Sequence, residues 1–382
     1  MGRTGFATLP LHGGRCPPWL FDLMRTLAGS IVEAIVIEFG PVEFLRRLAD
    51  PFWFQSLGCI LGFDWHSSGL TTTTTAALKE GIAGREGDLG VFIAGGKGRT
   101  SLKTPIEIQQ LGDKYGLHTD LEDLKRVSRL VAKVDNSAVQ DGYDLYHHVL
   151  AFTNDGSWSV IQQGMNEATS WARRYHWFCT PREPVDFVCE PHSAVCCDHT
   201  STVLNMVAKE SAGCRESCVE AARLGPDFVV KELRFLEESG ERKRGNLSLS
   251  DLPDLRLPRA HAIPETQRIY KALAQLKDKE PHDFLQILDT PGVGPATLRA
   301  LALVSEICFL TPASRRDPAV YSFAHGGKDG HPYPVNRTLY ETSISVLERA
   351  ISEANIGRRE KLQALRRLGT VLDRAPVVQG RP

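Results

Sequence analysis

Two runs of alternating apolar and polar residues, between Tyr146 and Gln163, constrain the fold of this chain most strongly. They flank Asn154, Asp155 and Gly156, and an Asp-Gly pair between alternating runs is typical of the tight turn of a β-hairpin. Stretches with apolar residues at three- and four-residue spacing surround the hairpin, and that spacing predicts amphipathic helices. The predicted fold class of this part of the chain is therefore α+β, with a β-hairpin among helices.

Proline and glycine mark the limits of the first predicted helices. A helix begins at Pro17-Pro18 and ends at Gly40-Pro41, because proline is favoured in the first helical turn and disrupts helix interiors. Shorter helices are predicted from Pro41 to Ala49 and from Pro51 to Cys59, and a short buried strand from Leu89 to Ala94.

A polar, proline-rich stretch divides the chain. Residues 236–264 contain a run of charges followed by three prolines, a composition typical of a linker. We therefore predict an α+β domain over residues 1–235, a linker over 236–264 and an all-α domain over 265–382. The helices predicted in the last part run from Glu265 to Lys277, Asp283 to Leu288, Ala296 to Phe309, Thr338 to Ala354 and Arg359 to Leu372.

The charges of the chain are nearly balanced, with 45 Lys and Arg against 46 Asp and Glu in 382 residues. Such a chain has no global field that attracts nucleic acid or a membrane surface, so any such site must be local. No apolar run approaches the ~20 residues of a membrane span, and the first residues lack an apolar signal core. Nine cysteines fit reduced thiols better than a disulfide framework. We expect a cytoplasmic protein without a membrane partner; the sequence identifies no protein partner.

The segment from Phe284 to Leu303 is the most informative about function. It places Gly292, Val293 and Gly294 between two helical stretches, where glycine permits positive φ or close backbone approach and the valine can pack the helices together. Backbone N–H groups and a helix N-terminus in such a turn suit a DNA phosphate. The segment resembles the helix-hairpin-helix motif, which predicts DNA contacts at the three hairpin residues and Arg299. An ordinary Gly-Pro helix junction is the alternative.

An aspartate follows this hairpin. In the base-excision glycosylases that use the motif, a catalytic aspartate follows at about the distance that separates Gly294 from Asp317 here. The resemblance implies that Asp317 activates water or stabilises the positive charge on the sugar as a damaged base leaves. Pro295 and Ala296 follow the second glycine, where bifunctional members carry a lysine, so a lyase step is disfavoured. The alternative is that Asp317 only ends a helix before Pro318.

Carboxylate, imidazole and amide side chains in the first part of the chain offer a second candidate site. Such groups can assemble a divalent-metal or general acid/base site. Strand parity places His147 and His148 on opposite faces, so only one of them can point into a shared pocket. A hydrogen-bonded core histidine is the alternative for each. The catalytic candidates of this site are Asp141, His147, Gln163 and His66.

Two further stretches have compositions typical of DNA contact. Arg173, Arg174 and Trp177 combine two cations with a ring that can stack on a base, although a half-buried strand explains them equally well. A glycine-rich loop predicts phosphate contacts at Gly326, Gly327 and Lys328, with a surface turn as the alternative.

Cysteines and histidines between residues 189 and 218 raise the possibility of structural zinc. No Cys-x-x-Cys pair is present among them, so their spacing fits no recognised zinc finger. Cys214 and Cys218 are four residues apart in a helical stretch, where cysteines commonly act as small apolar residues. We therefore predict no metal site here.

Several motifs resemble those of a large domain-of-unknown-function family found in archaea and thermophilic bacteria. They include Phe-Asp-Trp-His-Ser-Ser-Gly at 63–69, Arg-Arg-Tyr-His-Trp at 173–177 and Phe-Ala-His-Gly-Gly-Lys-Asp-Gly at 323–330, with further matches at 7–14, 133–136, 140–143, 145–148 and 162–165. The resemblance spans nearly the whole chain. It implies that the Asp/His/Gln segments and the hairpin form one enzyme-like unit, and it suggests DNA repair, including removal of damaged bases.

The function we expect is hydrolytic excision of a modified base from DNA, without a cofactor. The base has to leave the stack, because the glycosidic carbon is inaccessible inside a duplex. A structure-specific nuclease that uses Mg²⁺ or Mn²⁺ at Asp141, His147 and Gln163 is one alternative. A DNA-binding protein without enzymatic activity is the other.

Overall fold

Helices form the first part of the structure. The computed structural model describes residues 16, 18–62, 69–169, 171–197, 199–235, 266–320, 349 and 352. The first helices are α1 (Pro18–Phe39), α2 (Pro41–Ala49), α3 (Pro51–Leu61), α4 (Gly69–Gly81) and α5 (Glu86–Leu89). The helices predicted from proline and glycine are thus confirmed, and the Asp50 carboxylate caps α3 by accepting a 2.8 Å hydrogen bond from Trp53 N. Among the described helices, none is long and apolar enough to cross a membrane.

Five antiparallel strands form the central sheet, in the order β1-β3-β4-β5-β6. These strands are β1 (Phe92–Lys97), β3 (Asp144–Phe152), β4 (Trp158–Asn166), β5 (Trp171–Cys179) and β6 (Ala194–Cys196); β2 (Val139–Gln140) pairs separately with β7 (Leu204–Asn205). Strand β1 begins three residues later than predicted, because α5 ends at Leu89 and Gly90 follows in the left-handed conformation.

The predicted β-hairpin is confirmed as β3 and β4. Phe152 pairs with Trp158 next to the turn, and Gly156 has a φ of 85°, a conformation that glycine adopts readily. The Asp155 carboxylate accepts hydrogen bonds from the Thr153 hydroxyl and from Ser157 N. The side chain and the glycine together fix the turn.

Helices cover both faces of the sheet. Helices α1–α4 pack on the face that carries Val149 and Ile161, which we call the α4 face. Helices α6 (Thr104–Tyr115) and α7 (Leu121–Lys133) pack on the face that carries Leu150 and Val160, which we call the α7 face. Helix α8 (Ala212–Leu224) belongs to the same apolar cluster. A π-helical turn, Val134–Ala138, continues α7. Alternate residues of one strand therefore enter two different cores.

The last described helices are α9 (Thr266–Lys279), α10 (Phe284–Asp289) and α11 (Pro295–Cys308), so three of the predicted C-terminal helices are confirmed. Leu273 and Leu301 belong to the same apolar cluster as Val195 of β6 and Cys218 of α8. In the described part of the chain, α9–α11 thus share a core with the sheet. The predicted linker over 236–264 lies outside the described residues, as do the helices predicted beyond residue 337, apart from Arg349 and Ser352, both helical.

Candidate functional site

The predicted helix-hairpin-helix segment forms two helices and a tight turn. Helix α10 ends at Asp289 and α11 begins at Pro295. Gly292 has a φ of 81°, and buried Val293 packs into the core shared by the two helices. Gly294 has extended backbone with a φ of −140°. Both glycines were expected to need positive φ or close backbone approach. Only Gly292 adopts positive φ.

This turn lies at the protein surface and leads into the N-terminus of α11. Gly292 is exposed, and no side chain of the described residues caps α11 at Gly294. The first N–H groups of a helix have no intrahelical acceptor, and the helix dipole adds partial positive charge there. The turn has the chemistry of an anion site.

Two long side chains hold the hairpin against the rest of the fold. Lys133 Nζ, at the end of α7, donates 2.6 and 2.7 Å hydrogen bonds to the carbonyls of Leu288 and Thr290. Gln140 Nε2 donates to the Pro295 carbonyl at 2.8 Å. Burial lowers the pKa of Lys133. The hairpin is thus fixed to the end of α7 and to β2.

Arg299, a predicted DNA contact, points toward Gln140. Its Nε donates a 2.8 Å hydrogen bond to Gln140 Oε1, the side chain is buried, and burial lowers its pKa. In the structure Arg299 orients Gln140, which in turn contacts the hairpin backbone.

A buried guanidinium brings together two predicted catalytic carboxylates. Arg173 Nη1 lies 2.8 Å from Asp141 Oδ2, and Arg173 Nη2 lies 2.8 Å from Asp317 Oδ2. We call these residues the Asp–Arg–Asp cluster. Burial raises the pKa of Asp141, against the opposing effects of Arg173 and a hydrogen bond from the Tyr175 hydroxyl. Burial alone would lower the pKa of Arg173. The nearby charges outweigh burial, that of Asp141 most of all, and the pKa is raised well above its usual value.

Both carboxylate oxygens of Asp317 accept hydrogen bonds. Oδ2 accepts from Arg173 and from Ser201 N at 2.9 Å, and Oδ1 accepts from Ala319 N at 2.9 Å. These three donors fix the orientation of the carboxylate, and Oδ1, with one donor among the described residues, keeps a lone pair that can accept from a water molecule. The catalytic role of Asp317 stays a prediction.

Another row of polar residues crosses the sheet on the α4 face. His147, Gln163 and Arg174 are in register on β3, β4 and β5. His147 Nε2 lies 3.0 Å from Thr75 Oγ1, and Gln163 donates to the Tyr146 hydroxyl. Burial lowers the pKa of His147 to about 3, so the imidazole is neutral at physiological pH.

Asp141 lies on the other side of the sheet from that row, because it contacts Arg173 and Tyr175 on the α7 face. Of the predicted nuclease residues, the structure brings His147 and Gln163 together and separates Asp141 from them. His66 lies outside the described residues, as do Gly326, Gly327 and Lys328.

The predicted DNA-contacting residues of β5 are inside the protein. Arg173, Arg174 and Trp177 are all buried. Arg174 donates to Gln55 Oε1 at 3.0 Å and to His176 Nε2 at 2.8 Å, and burial lowers its pKa to about 10. Trp177 Nε1 donates to Asp135 Oδ2 at 3.0 Å. These side chains stabilise the interior, and in this structure none faces a surface that a duplex could reach.

A cavity of about 310 Å³ lies between α7, the sheet, and the start of α6 with the residues before it. Three of its polar residues form a chain of hydrogen bonds: Ser128 Oγ lies 2.9 Å from His148 Nε2, and His148 Nδ1 lies 2.8 Å from Gln162 Oε1. Gln162 Nε2 in turn donates to Asp135 Oδ2. We call the cavity the α7 cavity and these four residues the Ser128 relay.

The direction of each hydrogen bond in the relay follows from Trp177. Its indole N–H can only donate, so Asp135 Oδ2 is an acceptor. The amide nitrogen of Gln162 must therefore face Asp135, and its oxygen must face His148. Nδ1 of His148 then carries the proton, and Nε2 accepts from the Ser128 hydroxyl. Burial lowers the pKa of His148, which keeps the imidazole neutral.

Sequence reasoning did not identify Ser128 as a functional residue. A signal was present, because Ser128 falls between Leu124 and Val131 on the buried stripe of α7, where an apolar residue is the rule. Its partners are 20 and 34 residues away along the chain, so spacing within one motif could not connect them.

No group of three or more His, Cys, Asp and Glu side chains that could hold a metal ion occurs within the described part of the chain. Cys214 and Cys218 are buried in α8 and belong to its apolar core.

Comparison with known proteins gives a family and no closer relative. No curated protein and no solved structure matches the chain. One family model, described as a protein of unknown function (DUF763), matches residues 5–335. That match includes the central sheet, the hairpin of α10 and α11, and Asp317. This chain therefore belongs to the DUF763 family.

Proposed function

We propose that this chain binds DNA through the hairpin of α10 and α11 and hydrolyses the bond between a modified base and its sugar. The observation that carries the proposal is the hairpin itself, in which Gly292 adopts positive φ and the uncapped N-terminus of α11 follows. Backbone amides in this arrangement bind phosphate without reading the base sequence. Binding that ignores sequence suits an enzyme that must find a damaged base anywhere.

The hydrogen bonds from Lys133 and Gln140 favour a hairpin that is already ordered before DNA binds. Lys133 and Gln140 hold three hairpin carbonyls from behind, so the N–H groups need little reordering when a phosphate binds. Less ordering on binding means a smaller entropic cost.

In this proposal Asp317 is the carboxylate that assists hydrolysis, held in place by Arg173 and Ser201 N while Oδ1 accepts from the attacking water. The residues after Gly294 include no lysine in the position used by bifunctional glycosylases, so we expect an abasic site as the product. The damaged nucleotide has to be extruded from the duplex before reaction.

The test uses the full chain and end-labelled duplexes that carry oxidised or deaminated bases, incubated in EDTA or in Mg²⁺ and then divided for alkali treatment. Breaks that need alkali and form in EDTA are the expected result. Direct breaks that need the metal would replace the proposal with the nuclease alternative. Binding with no breaks would leave a DNA-binding protein without this activity.

Asp317→Asn provides the matched variant for the reaction. It keeps the size of the side chain and can still accept a hydrogen bond, but it removes the negative charge. We expect D317N to lose excision by about 100-fold or more while duplex affinity is unchanged. Full excision by D317N would remove Asp317 from the mechanism and leave DNA binding through the hairpin as a separate question.

A further inference from the structure

The α7 cavity and the Ser128 relay have no part in the proposed reaction on DNA. We propose that Ser128 is a nucleophile and His148 its general base, forming a second site that hydrolyses esters of short, apolar acyl groups. The distances of 2.9 Å between Ser128 Oγ and His148 Nε2 and of 2.8 Å between His148 Nδ1 and Gln162 Oε1 are those of hydrogen-bonded nucleophile, base and orienting group.

The proton positions in the relay are those that a nucleophilic serine requires. The Ser128 hydroxyl points its hydrogen at an unprotonated Nε2, and Nδ1–H is held by an amide that Asp135 fixes in one orientation. A protonated imidazole could not accept the serine proton, but burial favours the neutral ring. Gln162 is a positioning residue, since it orients the imidazole of His148 through the hydrogen bond at Nδ1.

The cavity wall indicates the class of substrate. Leu102, Pro105, Ala132 and Leu145 supply apolar surface beside the Ser128 hydroxyl, which suits a short hydrocarbon acyl group. Arg129 and Asn136, both exposed, also line the cavity. They are a cation and an amide donor that can stabilise the negative charge on a carbonyl oxygen under attack. The volume of about 310 Å³ is at the small end of ligand pockets.

The reaction balances without a cofactor. Ser128 Oγ forms a bond to the acyl carbon while its proton moves to His148 Nε2. The ester C–O bond then breaks, and the leaving alkoxide takes that proton as the free alcohol. A water molecule next gives a proton to Nε2 and attacks the acyl-serine. The carboxylic acid leaves, and Ser128 regains its hydrogen.

The experiment treats the folded full chain with a fluorophosphonate probe, which phosphonylates activated serines, and locates the label by peptide mass spectrometry. We expect labelling of Ser128, no label on that peptide in S128A, and labelling at least about 100-fold slower in H148A. S159A is the matched control, since Ser159 is a buried serine on the α4 face of the sheet and its removal should leave the rate unchanged.

Hydrolysis of p-nitrophenyl butyrate gives an independent measurement. The rate should rise with pH and level off with a midpoint below the usual histidine value of about 6.5. Q162L should move that midpoint downward, because the hydrogen bond to Gln162 raises the pKa of His148. An unlabelled Ser128 in the wild-type chain, or equal hydrolysis by S128A and wild type, would overturn the proposal. Excision of damaged bases by S128A should equal that of the wild type, so the two proposals fail independently.

Discussion

Asp317 Oδ2 lies 2.8 Å from Arg173 Nη2, although 144 residues separate the two in the chain. The other terminal nitrogen of the same guanidinium donates to Asp141. One cation therefore holds a carboxylate from the connection between β2 and β3 and a carboxylate from the segment after α11. This pairing fixes the segment after α11 to β5, so Asp317 has a structural role whatever its chemical one.

Removing a carboxylate from this cluster should destabilise the fold. D317A leaves part of the buried charge of Arg173 without a partner, and we expect the free energy of unfolding to fall by about 3 kcal/mol. Denaturation in urea measures the change. D289A is the control, because Asp289 pairs with Arg126 at a partly exposed position and such pairs contribute less than about 1 kcal/mol. Equal effects of the two substitutions would show that the cluster contributes little to stability.

The two hairpin glycines should respond differently to alanine. G292A forces a Cβ into a backbone with a φ of 81°, so we expect a loss of about 1 kcal/mol of unfolding free energy. G294A has extended backbone, and an added Cβ meets nothing within 4 Å. Its effect should stay within about 0.5 kcal/mol. Similar losses for both variants, compared in one denaturation series, would contradict the conformation of the turn.

The hydrogen bonds from Lys133 to the hairpin carbonyls should increase the affinity for DNA. K133M removes the two hydrogen bonds that hold the carbonyls of Leu288 and Thr290, and we expect affinity for an undamaged duplex to fall about tenfold. K125M removes one positive charge from the same helix but no contact to the hairpin. Fluorescence anisotropy at one salt concentration compares the two. If both variants weaken binding equally, Lys133 acts by charge alone.

Buried histidines should make the fold sensitive to acid. The pKa of His147 is about 3 in the fold and about 6.5 when unfolded, so the unfolded chain binds more protons between these values. Stability is complete above pH 6.5 and declines as the pH falls toward 3, by up to about 1.4 kcal/mol per pH unit for this residue. H147Q should have a shallower slope below pH 6.5 and the wild-type slope above it. Identical slopes in urea denaturation at pH 4–6 would show that His147 is not the sensitive group.

Local sequence signals predicted helices and strands well where the backbone conformation of a few residues determines the element. Prolines at 18, 41 and 51 begin α1, α2 and α3, because the ring fixes φ at a helical value. Alternation around Asn154-Asp155-Gly156 likewise predicted the β3–β4 hairpin. Such signals depend on a few neighbouring residues, which a single sequence contains in full.

The placement of charged side chains was harder to predict. Arg173, Arg174 and Trp177 have the composition of a nucleic-acid surface, but β5 is the fourth strand of a sheet with helices on both faces. In such a sheet the residues at odd and at even positions of a strand are both buried. The alternation of side chains therefore does not distinguish buried from exposed residues. The partners that make buried arginines tolerable, Asp141, Asp317 and Gln55, are distant in sequence.

The covered sheet also separates two sets of polar groups. The row of His147, Gln163 and Arg174 faces α4, and the Ser128 relay with the Asp–Arg–Asp cluster faces α7. Backbone hydrogen bonds between strands fill the plane between them, and no small molecule passes through a paired sheet. Losses of stability from substitutions on opposite faces should therefore add where the side chains are more than about 10 Å apart. His147 and His148 are the exception, because they are adjacent and the charge of one affects the other. Apart from that adjacent pair, the sheet divides the protein into two chemically separate compartments.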